Sequence, residues 1–156
     1  LNNKNIAASA GTTAVQWLRK YAKDNNVTQH KSLGKDHYES FLMLESSRAD
    51  AFVLDDNLLA GVIASSKNPD GFKIVGEVLG SEPIALLFRK DDPAFKKAVD
   101  GALSDMMKSG EAAAVYDKWF MQPIPPANKP LNLPMSPALK QLFIEPNDKP
   151  LEAYAN

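Results

Sequence analysis

Apolar residues recur along the chain at two spacings, and the switches between them predict the elements. In ASAGTTAVQWLRKY (8–21) and its continuation, Val15, Leu18 and Ala22 lie three or four residues apart, the spacing of one helix face. The pattern predicts a helix over about 13–23, with Thr12 or Thr13 as N-cap and Asn25-Asn26 at its end. Ile6–Ser9 before it and Val27–His30 after it predict short strands. A second helix is expected over about 38–46, burying Phe41, Leu42 and Leu44 or their neighbours. AFVL (51–54) is a continuous apolar run, as in a strand covered on both faces. DDNLLAGVIASSKN opens on an aspartate cap and carries Leu58, Leu59, Val62 and Ile63 at helix spacing. FKIV (72–75) predicts another strand. The order β-α-β-α-β-α-β implies an α/β unit with a largely parallel sheet.

After Gly80 the character changes. IALLFRK (84–90) predicts a strand. DDPAFKKAVDGALSDMMKSG has the signals of one long helix: Asp92 to cap it, Pro93 at the first position, Gly110 to stop it. Phe95, Val99, Ala102, Leu103 and Met106 form its apolar stripe, expected to be core. A helix over 111–120 presents Val115, Trp119 and Phe120, and SPALKQLF (136–143) repeats the Ser-cap, Pro-first signal. Eight of the eleven prolines lie between Pro123 and Pro150, so the end of the chain is expected to run as an extended arm.

Composition narrows the function classes. The chain has 156 residues, enough for one ordinary domain or two small lobes. Its net charge of −1 leaves no footprint for nucleic acid or an anionic membrane. No apolar run reaches the ~18 residues of a membrane span. The sequence has no cysteine, which excludes disulfides and thiolate chemistry. His30 and His37 stand seven apart without cysteine or an HExxH frame, so no metal site is expected. The chain starts on Leu1, and LNNKNIAAS reads as the entry to a strand in mid-domain.

Three places carry candidate chemistry, each at the carboxyl end of a predicted strand, where parallel α/β sheets bind ligands. They are Gly11-Thr12-Thr13, Asp36-His37 and Asp55-Asp56. Each has a plain alternative: a threonine cap, a solvated histidine, an aspartate cap. The first helix opens with two hydroxyls and no acidic residue in its first turn, which suits an anion supplied from outside. Of the two aspartates one is expected to cap the helix, leaving the other for a cation. The set complements an amino acid zwitterion. No GxSxG elbow, Walker loop or dinucleotide loop is present. A triad of His37, Asp55 and a serine such as Ser40 lacks any strained turn to present the nucleophile, so no catalytic residue and no cofactor is expected.

SAGTT (9–13), KDHYESFLMLESSRADAFVLDDNLLAG (35–61) and FRKDDPAFKKAVDGALSDMMKSGEAAAVYDKWFMQPIPP (88–126) resemble, in order, extracytoplasmic solute-binding proteins of family three. Within it they are most similar to glutamate/aspartate-binding proteins of bacterial ABC importers. The resemblance covers essentially the whole chain. It implies a periplasmic-binding-protein fold of type II, two α/β lobes joined by a hinge. Residues 1–80 would be the second ligand-binding lobe, 83–121 a strand-helix-helix segment returning to the first lobe, and 122–156 a proline-rich arm. By resemblance Thr13 would bond an anionic group of the ligand, His37 its acidic side chain and Asp55 its α-ammonium, with Thr12 adjacent. Ala10 stands where close relatives would carry a hydroxyl, which puts one polar contact in doubt.

The resemblance further implies a periplasmic protein that binds glutamate or aspartate and delivers it to an ABC permease in the inner membrane. It implies a first lobe ahead of Leu1. Arg19, Arg48 and Arg89 do not match that lobe's carboxylate-binding arginines, so the chain is expected to be a fragment. Its unpaired strand and bare helix stripe would then favour a second copy of the chain or a companion N-terminal piece. The alternatives on the same fold are a periplasmic cyclohexadienyl-type dehydratase and the ligand-binding domain of a sensor.

Overall fold

The computed structural model describes residues 1–125 and 128–154. The chain divides into two compact units, Leu1–Gly80 and Ser81–Asn156.

In the first unit, β1 (Lys4–Ser9), α1 (Thr13–Asp24), β2 (Gln29–Gly34), α2 (His37–Glu45), β3 (Ala51–Phe52) and α3 (Asp56–Ala64) follow in order. The three strands are parallel in the order β2-β1-β3, so β1 is central. Alternation along β1 divides the core between the two faces of the sheet. Ile6 and Ala8 pack with Val15 and Leu18 of α1, joined by Ala51, Val53 and Leu79. Ala7 packs on the other face with Phe41 of α2, Ala49, Phe52 and Val62 of α3. Full burial of a side chain such as Leu18 contributes about 1.5–3 kcal/mol.

Several expectations shift. The second strand lies at Gln29–Gly34 and not at 27–30. Of AFVL only Ala51 and Phe52 form the strand, while the Val53 N–H still donates to the Ala7 carbonyl at 3.1 Å and Val53 and Leu54 are half-buried. In α2 Phe41 is buried but Leu42 faces solvent. FKIV forms no strand. Phe72 packs instead from a loop, its ring 4.9 Å from that of Phe41. Gly80, where the unit ends, lies so close to Trp17 that a Cβ there would fall 2.3 Å from the indole ring.

In the second unit IALLFRK is not a strand either, and Ile84 and Leu87 stand almost wholly exposed. A strand exists only by pairing, and this segment has no ladder partner among the described residues. α4 (Pro93–Lys108) forms as predicted, with the Asp92 side chain accepting from the Phe95 N–H at 2.9 Å. Its stripe is not a core: none of its residues is buried, and Phe95 meets Phe88 edge to face at 5.5 Å. α5 (Glu111–Tyr116) ends in a π-helical turn over Asp117–Met121, which replaces the continuous helix expected to residue 120. α6 (Pro137–Ile144) is capped by Ser136.

Side-chain bonds tie the arm down. The Tyr116 hydroxyl donates to the Leu133 carbonyl at 3.1 Å. Lys96 of α4 bridges Asp100 and Asp148. Of the arm, residues 126–127 and 155–156 lie outside the described residues, as does the last proline of the PIPP motif.

Candidate functional site

Three parallel strands end on one edge, and each is followed by a loop and a helix N-terminus. Gly11-Thr12-Thr13 follows β1, Asp36-His37 follows β2 and Asp55 follows β3. Because β1 lies between β2 and β3, the three predicted places share one edge of the sheet.

The loop after β1 turns through Gly11 at φ +75, a left-handed conformation natural to glycine. Thr12 then occupies the N-cap position of α1 in extended conformation, but its side chain makes no cap bond. Its hydroxyl instead donates back to the Ser9 carbonyl at 2.8 Å. Thr13, the first helical residue, is exposed, and the first turn holds no acidic residue. The Thr12 side chain therefore leaves the positive end of α1 uncapped.

α3 shows the same feature with opposite chemistry. Asp55 stands at its N-cap position, yet its carboxylate makes no cap bond and is exposed. The next carboxylate, Asp56, accepts from the Asn57 N–H at 2.7 Å. The expectation that one aspartate caps the helix holds for position and fails for hydrogen bonding. α2 differs. Asp36 caps it conventionally, accepting from the Glu39 N–H at 2.8 Å. Glu39 reaches back to the Lys35 N–H at 2.7 Å, much as in a capping box.

His37 opens α2 and is half-buried. Its Nδ1 lies 2.7 Å from the Ser9 hydroxyl, at the end of β1. Ser9 also lies 3.2 Å from the Ser40 hydroxyl, which donates to the Asp36 carbonyl at 2.8 Å. Both serines are buried. Ser40 fits because Gly34, beside Ser9 in the β1–β2 ladder, has no Cβ. An added Cβ would lie 2.4 Å from Ser40 Oγ and 2.8 Å from its backbone nitrogen. Ser9 thus holds Thr12 through its carbonyl and His37 through its hydroxyl.

Sequence reasoning named Thr12, Thr13, His37 and Asp55 and missed Ser9 as their support. The available signal was its place as the last residue of a central strand. The Ser9–His37 separation matches a nucleophile–base pair. Ser9, however, is only 2% exposed, so its oxygen is closed to a substrate. Among the described residues no cluster of three or more His, Asp or Glu is arranged to hold a metal ion. No helix among them is long and apolar enough to cross a membrane.

Comparison with known proteins bears on this edge. Residues 3–122 match the family model of bacterial extracellular solute-binding proteins, family 3. An L-glutamate/L-aspartate-binding protein of Pseudomonas aeruginosa is 46% identical over 152 residues, covering 97% of this chain and 50% of that protein. A glutamate/aspartate import solute-binding protein of Escherichia coli K12 is 44% identical over 151 residues, with the same coverage of 97% and 50%. The chain thus spans about half the length of these curated relatives. An ABC transporter/periplasmic binding protein from Brucella ovis, solved with glutathione bound, superposes with a TM-score of 0.64. It is 25% identical, over 73% of this chain and 35% of that one.

Proposed function

The chain belongs to family 3 of the bacterial extracellular solute-binding proteins, and from that premise we propose that it is part of a periplasmic receptor for glutamate or aspartate. The observation that carries the reading is the shared edge. An uncapped helix N-terminus with two threonines, an imidazole and an uncommitted N-cap carboxylate lie at the ends of adjacent strands. Thr13 and the N–H groups of α1 take an anionic group of the ligand, with Thr12 beside it. His37 meets the acidic side chain and Asp55 pairs with the α-ammonium. The relatives named for glutamate and aspartate, aligned over 97% of the chain, support that ligand class.

The coverage of half of each relative supports reading the chain as a fragment of a two-lobe protein. Residues 1–80 are then the second lobe, 83–121 the return to the first and 122–156 the arm. The exposed, unpaired run at 84–87 supports a missing partner for that segment, either an N-terminal lobe or a second copy of the chain. Closure of two lobes on the ligand would present the complex to an ABC permease in the inner membrane, and the protein acts without catalysis. Ligand shifts the open–closed balance only by its differential affinity for the closed state.

Calorimetry on the chain joined to its N-terminal lobe tests the reading. L-Glutamate or L-aspartate should bind, and His37→Ala should weaken both more than it weakens L-glutamine. Absence of binding by either acidic amino acid would refute the ligand class. Equal weakening of acidic and neutral ligands would remove His37 from the side-chain role.

A further inference from the structure

We infer that Ser9, backed by Ser40, is the positioning residue for His37. It holds the imidazole as the Nδ1–H tautomer and leaves Nε2 as the ring nitrogen for a ligand. The inference rests on the proposed function only for what Nε2 then meets.

A count of protons leads to it. A serine hydroxyl has one proton to give. That of Ser40 goes to the Asp36 carbonyl at 2.8 Å, an atom that can only accept. The Asp36 carbonyl also accepts from the Ser40 N–H at 3.1 Å, but the hydroxyl bond to it is shorter than the 3.2 Å contact with Ser9, which favours Ser40 as the acceptor and Ser9 as the donor there. With its own proton given to Ser40, Ser9 can only accept from His37, so the 2.7 Å contact is Nδ1–H to Ser9 Oγ. The two serines are 0% and 2% exposed, so bulk water does not compete for these bonds. Free neutral histidine favours the other tautomer, with its proton on Nε2. The network thus imposes a form that the isolated side chain does not prefer.

The geometry around it is stiff. Ser9 sits on the central strand, His37 and Ser40 lie one turn apart on α2, and Gly34 leaves no slack between strand and helix. A ring fixed in direction and tautomer presents one defined nitrogen, as a binding site requires.

Two-bond proton–nitrogen NMR spectra of the histidine-labelled chain test this at alkaline pH, where imidazoles are neutral. His37 and His30 are the only histidines, and exposed His30 serves as the internal control. Wild-type His37 should show the Nδ1–H pattern, distinct from His30. Ser9→Ala should shift it toward the Nε2–H pattern. Ser40→Ala should do the same, although Ser40 is argued to act only through Ser9, because Ser9 is then free to give its proton to Nδ1. An Nε2–H pattern in the wild-type chain would overturn the inference without any variant. So would a His37 pattern unchanged in Ser9→Ala. Binding of L-glutamate by the chain joined to its N-terminal lobe is a separate readout: its failure speaks against the proposed ligand and leaves the tautomer result standing.

Discussion

Gly34→Ala is expected to destabilise the first unit by about 2 kcal/mol, and the structure sets the size. The added methyl would lie 2.4 Å from Ser40 Oγ, 2.8 Å from Ser40 N and 3.1 Å from its Cα. Two of those atoms are backbone within α2, so no rotamer change relieves the contact. Overpacking of this kind costs about 1–3 kcal/mol, and a clash with backbone belongs at the upper end. Against it, replacing glycine lowers the entropy of the unfolded chain, a gain of about 0.4–1 kcal/mol. The difference is about 2 kcal/mol. Urea unfolding, followed by far-UV circular dichroism, measures it, with an unchanged slope showing that only stability moved. Ser40→Ala in the same background should recover part of the loss, because it removes the nearest clash and leaves the backbone ones. A Gly34→Ala change within ~0.5 kcal/mol of wild type, the range of bland surface substitutions, would refute the packing of Ser40 against the strand end. It would also loosen the basis for His37's position.

Three further outcomes are expected. Asp36→Ala should cost about 1 kcal/mol in the same unfolding assay, the usual worth of an N-cap bond, because Asp36 accepts from the Glu39 N–H. Asp55→Ala should cost under ~0.5 kcal/mol because its carboxylate caps nothing, while abolishing acidic amino acid binding by the two-lobe protein; a full capping loss at Asp55 would show that its carboxylate is committed to α3. In the arm, the hydrogen bond from Lys96 holds the Asp148 carboxyl below the usual aspartate range, while hydrogen bonds to Asp100 and Asp148 raise the Lys96 ammonium above the usual lysine range. The depressed carboxyl favours the tethered form above its untethered pKa and loses that contribution as pH falls through the tethered value. The raised ammonium favours it below its own untethered pKa and loses that at high pH. The tether should therefore persist across neutral pH and be released in acid; carboxyl NMR titration of Asp148 should show a low midpoint that returns to the ordinary range in Lys96→Ala, and an identical midpoint in both would contradict the tether.

Much of the molecule follows from local rules. Asp92, Pro93 and Gly110 delimit α4 because caps and stops act within one helical turn. The Ser136-Pro137 start of α6 is set in the same way. The strand β1 and the faces of α1 were legible from apolar spacing, since a strand covered on both faces leaves a continuous apolar run and a helix lying on it a periodic one. Placement of Thr12, Thr13, His37 and Asp55 at strand ends also needed only the order of elements. What that order could not say is how each is held. FKIV and IALLFRK have strand composition and form none, because a ladder needs a partner that composition does not supply. The stripe of α4 is apolar at helical spacing yet unburied, because periodicity marks the face that could be covered and not what covers it. The hydroxyls of Ser9 and Ser40 look ordinary in sequence, 31 residues apart. Only the fold brings them together in a space that Gly34 leaves open, where burial shields from water the hydrogen bonds that hold the His37 ring.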